Sequence, residues 1–478
     1  MRSGLRAERD VSSWDRETQV CVVGLGAAGA AAAIDARREG ADVIVFERAS
    51  GGGGTSAMSG GVLYLGGGTA LQTACGFEDS VEDMYRYLMA SVGEEPDEAK
   101  ISRYCEGSVA HFEWVKEQGV PYKETYYPGI SGEPPTDGGL VYSGAETTSP
   151  FCDIARPAPR GHVGMQPHQT GPLLMKHLCA STDRSGATIA ADHRVTNLVV
   201  DDDGAVVGVV AERFGEEVTV RARGGVVLTT GGFVLNDDML RRHIPRALRC
   251  KLRVAGDGDD GSGIRLGVAA GAATMHMEKA SISLPVTQPW GLKRGVMVNA
   301  RGQRFINEDT YYGRLGERAL FHEDGRAWLI VDDAIFEEPD YCKEIAAVGE
   351  TLGEVEQELS LPAGSLDATI SVYNRHAAEG RDPVFEKRAE YVQPLTTPPY
   401  GAIDCTTDNC LYAAFTLGGL VTDADARVLD PEGAAIPGLY AAGRAAAGIC
   451  AGNYSSGLSL GDATFFGRIA GRIAAAKR

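Results

Sequence analysis

"QVCVVGLGAAGAAAAIDARREGADVIVFERASGGGG", residues 19–54, carries a strand, a glycine turn, a helix, a second strand and an acid in that order. Val20 to Val23 is a continuous apolar run of the kind a strand buried on both faces requires. Gly24-Leu25-Gly26-Ala27-Ala28-Gly29 follows at once, then an Ala-rich helical stretch to about Arg38, then Val43 to Phe46 and Glu47. Each glycine has a separate task. Gly24 allows the turn, Gly26 lets the backbone approach a pyrophosphate, and Gly29 lets helix and strand pack closely. The helix N-terminus attracts the phosphates, and Glu47 is placed to accept hydrogen bonds from an adenosine ribose. Such a turn without its setting is weak evidence; between two strands, a helix and an acid it predicts a dinucleotide site.

The stretch after the acid separates NAD from FAD. "ERASGGGGTSAMSGGVLYLGGGT" (47–69) puts four glycines, Thr55, Ser56 and the pair Gly60-Gly61 where a further phosphate-binding loop belongs. An NAD domain continues directly with its next strand and helix. The competing reading is a flexible linker, but Met58, Val62, Leu63 and Leu65 are unlike Gly/Ser filler. The loop favours FAD.

The whole chain is consistent with that. Its 478 residues suggest two or more domains, and 44% hydrophobic with 23% charged residues is an ordinary globular composition. The 62 glycines, about twice the usual share, cluster around 24–68, 224–271 and 418–467 and therefore mark tight turns. A formal charge of -19 argues against nucleic acid as partner. No apolar run is long enough for a transmembrane segment, and "MRSGLRAERDVSSWDRE" lacks the apolar core of a signal peptide. Ten scattered cysteines without Cys-x-x-Cys read as buried thiols of a cytoplasmic protein, with no sign of disulfides, metal, iron–sulfur or haem.

Later segments return to the same cofactor. "RVTNLVVDDDGAVVGVVAERFGEEVTVRARGGVVLTTGGF" (194–233) reads as three short strands, then a buried strand, Val226 to Leu228, closed by Thr229-Thr230-Gly231-Gly232. With "GDGDDGSGIRLGVAAGAA" (256–273), "GVMVNARGQRFINED" (295–309) and "IPGLYAAGRAAAG" (436–448), the chain resembles the flavoprotein family containing fumarate reductase and the 3-ketosteroid dehydrogenases. The resemblance covers nearly the whole chain and implies an α/β fold: a Rossmann-like two-dinucleotide-binding FAD domain, split by an inserted α+β capping domain that carries catalytic residues. It places the flavin-domain halves at 1–278 and 403–478 and the cap at 279–402. It also implies FAD contacts from Ala28, Arg48, Val195, Asp260, Gly443, Ser459 and Leu460. Covalent members attach FAD through a histidine in the loop after the acid; Thr55-Ser56-Ala57 stands here, so non-covalent FAD is expected. A basic loop of the family corresponds to Arg160 and His162, lining flavin or substrate, against the alternative of a rigid exposed loop.

Fumarate enzymes grip two carboxylates with arginines. Where the family has its arginine proton donor this chain has Tyr312 or Tyr311; a histidine is replaced by Phe415, and a further arginine by "NYSS" (453–456). Arg314 is the one nearby cation that would rescue a dicarboxylate. "NEDTYYG" (307–313), otherwise an exposed polar loop, and "CAGNYSSGLSLGD" (450–462) resemble the tyrosine and tyrosine-x-serine elements of 3-ketosteroid Δ4-(5α)-dehydrogenases. That resemblance implies catalysis by Tyr312, Tyr454 and Ser456, with Tyr311 alternative to Tyr312, Ser456 supporting Tyr454, and Phe415 and Gly457 facing substrate. Asn453 departs from the small residue usual before the tyrosine.

The chemistry implied is desaturation, or the reverse, of a C=C bond beside a ketone, on an apolar steroid-like substrate. Reduced FAD would pass its electrons to an unknown diffusible acceptor. Alternatives are a Δ1-type ketosteroid dehydrogenase, an ene-reductase acting on another substrate, and a flavin-binding protein without turnover.

Overall fold

The computed structural model describes residues 4–476. Arg16–Val23 is the strand that the apolar run predicts, and it passes through the glycine turn into the helix Ala27–Arg38. Parallel partners lie on both sides: Val43–Phe46, in register Val20 with Val43, and Glu216–Leu228, in register Cys21 with Val226. Thr188–Ala190 continues the sheet beyond Val43–Phe46, and Ala435–Ala441 joins Glu216–Leu228, Leu439 opposite Val226. With the antiparallel meander Arg194–Val200 and Val206–Arg213, and with the strands Leu5–Ala7 and Arg427–Leu429, the sheet has nine strands.

The third short strand and the buried strand expected at Val226 are one element of 13 residues. It is irregular between Ala222 and Gly225, where it changes from a half-exposed hairpin arm to a buried parallel strand. Gly225 has φ +128, which a side chain rarely tolerates, so the chain bends without breaking.

The helix Ala27–Arg38 packs against the last helix, Leu458–Ala476, backbone to backbone. A Cβ on Gly467 or Gly471 would overlap the carbonyl oxygens of Ala28 and Ala32. Small residues on both helices permit that approach, and Asp35, nearly buried, ties it with Arg468 at 2.9 Å and the Trp114 indole at 2.8 Å.

A second sheet is antiparallel, in the order Val296–Asn299, Ala327–Asp332, Tyr400–Asp404, Ile345–Gly349. Beside it lies the stretch expected to be an exposed polar loop, and that expectation fails. Asn307, Glu308, Asp309 and Thr310 are all buried. Glu308 pairs with Arg304 at 2.7 Å and Lys387 at 2.8 Å and accepts the Met297 N–H; Asp309 pairs with Arg388 at 3.0 Å. Burial alone would raise the Glu308 carboxyl, but Arg304 and Lys387 outweigh it and hold it at about 2. The two phenols therefore stand on an ionic platform inside the protein.

Two further expectations are corrected. Cys342 and Cys410 form a disulfide, their Cα atoms 5.2 Å apart across 68 residues of sequence, a pairing their spacing does not announce. The other eight cysteines are free. Arg160 and His162 are neither exposed nor at the cofactor cleft: both are fully buried, Arg160 paired with Asp79 at 2.7 Å and His162 bonded to Thr69. Among the described residues no helix is long and apolar enough to cross a membrane.

Candidate functional site

A cavity of about 650 Å³ opens along the C-terminal ends of the parallel strands, where ligands of such sheets collect. Gly24, Gly26 and Ala28 line it together with Glu47, Arg48, Thr55, Ser56, Gly60, Gly61, Val195, Thr230, Gly231, Gly443, Ser459 and Leu460. Gly29, Gly232 and Asp260 do not. A Cβ on Gly29 would overlap the Gly24 carbonyl oxygen, so its task is the packing expected of it. A Cβ on Gly232 would collide with the Thr416 hydroxyl, and Asp260 holds Arg48 at 3.0 Å from outside the cavity.

Glu47 already receives the N–H of Leu25 at 2.8 Å and of Ala49 at 2.9 Å, one on each carboxylate oxygen. Each oxygen can accept a further bond, so the acid is rigidly aimed and still able to hold a ribose. Three buried polar atoms nearby lack partners: Thr230 Oγ1, Asp259 Oδ1 and Arg444 Nη1. Gly26 and Gly231 present backbone with no side chain closer than 3.5 Å to a would-be Cβ. Open backbone at a helix N-terminus, a ribose-facing acid and unsatisfied polar atoms suit a dinucleotide. Asp259 and Arg444, paired at 2.5 Å, were missed in the sequence because neither sits in a recognisable spacing.

The opposite end of the cavity is lined by Tyr311, Tyr312, Tyr454, Ser456, Gly457 and Phe415, with Ser281, Ser283, Pro285 and Gln288. Tyr312 is the first residue of the helix Tyr312–His322 and Tyr311 its N-cap; their rings lie 4.2 Å apart. Tyr454 comes from the loop before the last helix, and its oxygen accepts the N–H groups of Gly457 and Ser459, each at 3.2 Å. Phe415 meets its ring edge-on at 5.1 Å. Ser456 is fixed through its backbone: its N–H donates to the Ser143 carbonyl at 2.7 Å, and the Ser143 hydroxyl donates to its carbonyl at 2.8 Å. A Cβ on Gly132 would collide with both the Ser456 and the Tyr312 hydroxyls, which puts Ser456 beside Tyr312.

Burial raises all three phenols, but not equally. Tyr311 is pushed well above the usual 10 by burial and then by Tyr312. Tyr454 rises by burial against the opposing pull of the Ser459 and Gly457 N–H groups. Tyr312 also rises by burial, while hydrogen bonds from Tyr311, Ser456 and the Gly132 N–H stabilise its anion. These are the phenolate neighbours that no sequence pattern identifies.

Four arginines line the cavity, and each is already paired: Arg48 and Arg194 with Asp260, Arg253 with Asp237 at 2.6 Å, Arg444 with Asp259. Arg314 is not among the lining residues; its guanidinium lies 4.8 Å over the Phe151 ring. Among the described residues, no arginine lining the cavity is left without an acidic partner to meet a dicarboxylate. Among the described residues no group of three His, Cys, Asp or Glu is placed to hold a metal.

Known proteins are similar to this chain. The crystal structure of a 3-ketosteroid Δ4-(5α)-dehydrogenase from Rhodococcus jostii RHA1, in complex with 4-androstene-3,17-dione, is 46% identical and covers 99% of each chain with a TM-score of 0.93. The 3-oxo-5-alpha-steroid 4-dehydrogenase of Comamonas testosteroni is 29% identical over 91% of this chain and 94% of its own. A probable fumarate reductase of Shewanella frigidimarina is 28% identical over 96% of this chain and 75% of its own. The model of the FAD binding domain matches residues 19–460. With its glycine cradle, ribose-facing acid and nearly full-length match, the chain belongs to the FAD binding domain family.

Proposed function

We propose that this FAD-dependent oxidoreductase, of the class acting on CH–CH groups, desaturates a 3-ketosteroid between the α- and β-carbons on the C4–C5 side. The observation that carries this reading is the character of the reactive end of the cavity: three buried phenols, serine hydroxyls and an aromatic wall, with every lining arginine paired. Such a surface holds a bulky neutral ketone and has nothing for two carboxylates. The steroid named in the Rhodococcus structure agrees with it.

The roles follow from hydrogen-bond bookkeeping. The Tyr454 oxygen already accepts two N–H groups, so what it has left to offer is its proton, and it donates to the ketone oxygen. The same two amides, at the start of the last helix, steady the phenol as negative charge builds on the enolate oxygen. Tyr312, whose anion is supported by the Tyr311 and Ser456 hydroxyls, takes the proton from the α-carbon. Bound FAD, held non-covalently, supplies the two-electron acceptor for the hydride leaving the β-carbon. The new double bond forms between the two carbons, and a diffusible acceptor later removes the electrons.

The division expected from the sequence, with flavin-domain halves 1–278 and 403–478 around a cap at 279–402, is supported by the separation of the nine-stranded sheet from the sheet of Val296–Asn299, while Ala280–Ser283 crosses the boundary to pair with Ala413–Thr416. The pairing of Tyr400–Asp404 within the second sheet favours a boundary just after Asp404. Tyr312 then comes from the cap and Tyr454 from the flavin domain. Anaerobic titration of the yellow holoenzyme with a saturated 3-ketosteroid tests the reading. Bleaching of the flavin band, with the Δ4 ketone as product, is expected; a band unmoved by the ketosteroid and bleached by succinate would overturn it.

A further inference from the structure

The two phenols reach the cavity from segments 142 residues apart, 312 and 454, and catalysis by the pair requires their oxygens to hold a fixed separation. Tyr312 opens the helix Tyr312–His322, and Glu317 lies further along the same helix. The Glu317 carboxylate accepts the backbone N–H of Asn453 at 2.7 Å, immediately before Tyr454. Tyr312 itself meets the Ser456 hydroxyl further along the loop; Glu317 is the side chain of that helix that holds the loop at the residue before Tyr454. Asn453 itself has φ +45, a left-handed conformation that asparagine tolerates better than most residues. A left-handed residue turns the chain sharply, so the N–H that Glu317 holds sets where the next side chain, Tyr454, is directed.

The rest of the loop is pinned from the other side. Lys100 donates to the Ala447 carbonyl at 2.9 Å, Asp462 accepts the Ile449 N–H at 3.1 Å, and the Ala451 N–H donates to the Val92 carbonyl. None of these ties the loop to the helix of Tyr312. We propose that Glu317 is a positioning residue of the active site, fixing Tyr454 against Tyr312 by holding the Asn453 amide. This inference rests on the reading that the two tyrosines carry the reaction.

Glu317 is poised for a pH readout. Burial raises its carboxyl to about 7, opposed by the Asn453 N–H and by Lys279 and Arg314. Cys450, the other titratable group facing it from the loop, is itself pushed up by burial and stays a neutral thiol. Below about pH 7 the acceptor is a neutral acid and the bond weakens; above it the bond is charge-assisted.

The test uses the holoenzyme of wild type, Glu317→Gln and Glu317→Ala, measured for kcat and KM across neutral pH. The ratio of wild-type kcat to that of Glu317→Gln should rise through neutrality and level off above about pH 7, on top of the alkaline climb that Tyr312 imposes on both. Glu317→Gln keeps a neutral acceptor, so it should lack the inflection near pH 7 and run about threefold to tenfold below wild type where the ratio levels off. Glu317→Ala should be slower still, with KM within about twofold of wild type, because the steroid-binding wall is untouched. Stability should move the opposite way. A carboxyl raised in the fold contributes stability at low pH that is lost as pH rises toward about 7, so Glu317→Gln should melt higher than wild type above neutrality. Wild-type kcat with an unaltered profile in Glu317→Gln would overturn the inference, and this variant decides it even if Glu317→Ala fails to fold. Inactive Tyr312→Phe and Tyr454→Phe beside an active Glu317→Gln leave the tyrosine reading standing and sink this inference alone. Active tyrosine variants would sink the reading beneath it.

Discussion

Replacing Tyr454 by Phe removes one oxygen and leaves the ring against Phe415. That oxygen does two things in the structure. It accepts the Gly457 and Ser459 amides at 3.2 Å each, and in the proposed reaction its proton is the donor to the ketone. Losing a donor aimed at a developing oxyanion costs about 2.7–4 kcal/mol, or roughly a hundredfold to a thousandfold in kcat. Separately, each orphaned amide that water does not reach costs about 1–3 kcal/mol of stability. The variant should therefore bind FAD, melt lower, and reduce flavin two to three orders of magnitude more slowly, with kcat and kcat/KM falling together. Anaerobic stopped-flow at the flavin band with saturating ketosteroid reads the rate, and thermal melting reads the stability. A variant that melts lower yet reduces flavin within about threefold of wild type would show that the hydroxyl is a helix cap and nothing more.

Tyr312→Phe should also keep FAD and lose turnover. In wild type the rate of flavin reduction should climb toward tenfold per pH unit on the alkaline side, because burial holds the Tyr312 proton above its ordinary 10; the variant should lose that slope, and a slope retained in its pH–rate profile would remove Tyr312 as the base. Gly26→Val places a side chain where the backbone faces the cavity, so the purified protein should be colourless while keeping wild-type far-ultraviolet circular dichroism. Arg160→Met strands the fully buried Asp79 carboxylate and should destabilise the fold by about 3–5 kcal/mol in denaturant unfolding, with flavin content unchanged in the protein that remains folded.

What the sequence disclosed was whatever is local and periodic. The strand, turn, helix and acid of residues 19–47 appear where the pattern puts them because each part answers to its neighbours in the chain: the apolar run to burial, Gly24 to a positive φ, Glu47 to the strand end. Most of the candidate site residues line one cavity; Gly29, Gly232 and Asp260 are not in its lining, and the Arg160 and His162 of the resemblance are buried away from it. What stayed hidden was long-range and polar. "NEDT" reads as surface because four polar residues in a row usually are; only Arg304, Lys387 and Arg388, brought in by the fold, make its burial tolerable. The same holds for Arg160 with Asp79 and for Cys342 with Cys410, whose partners are named by topology and by no spacing. Ser456 was expected beside Tyr454, two positions away in sequence, and the fold sets its hydroxyl beside Tyr312.

Where Gly467 and Gly471 bring the last helix onto Ala28 and Ala32, no side chain lies between the two backbones to compress or rearrange. The helix that opens on the pyrophosphate cradle and the helix that opens on Tyr454 behave there as a single girder. The distance from the nucleotide anchor to the start of the last helix, whose Gly457 and Ser459 amides hold the Tyr454 oxygen, is set there by the contact radii of main-chain atoms. Any accommodation to a larger or smaller ring system must be made from the other wall, by the helix of Tyr312.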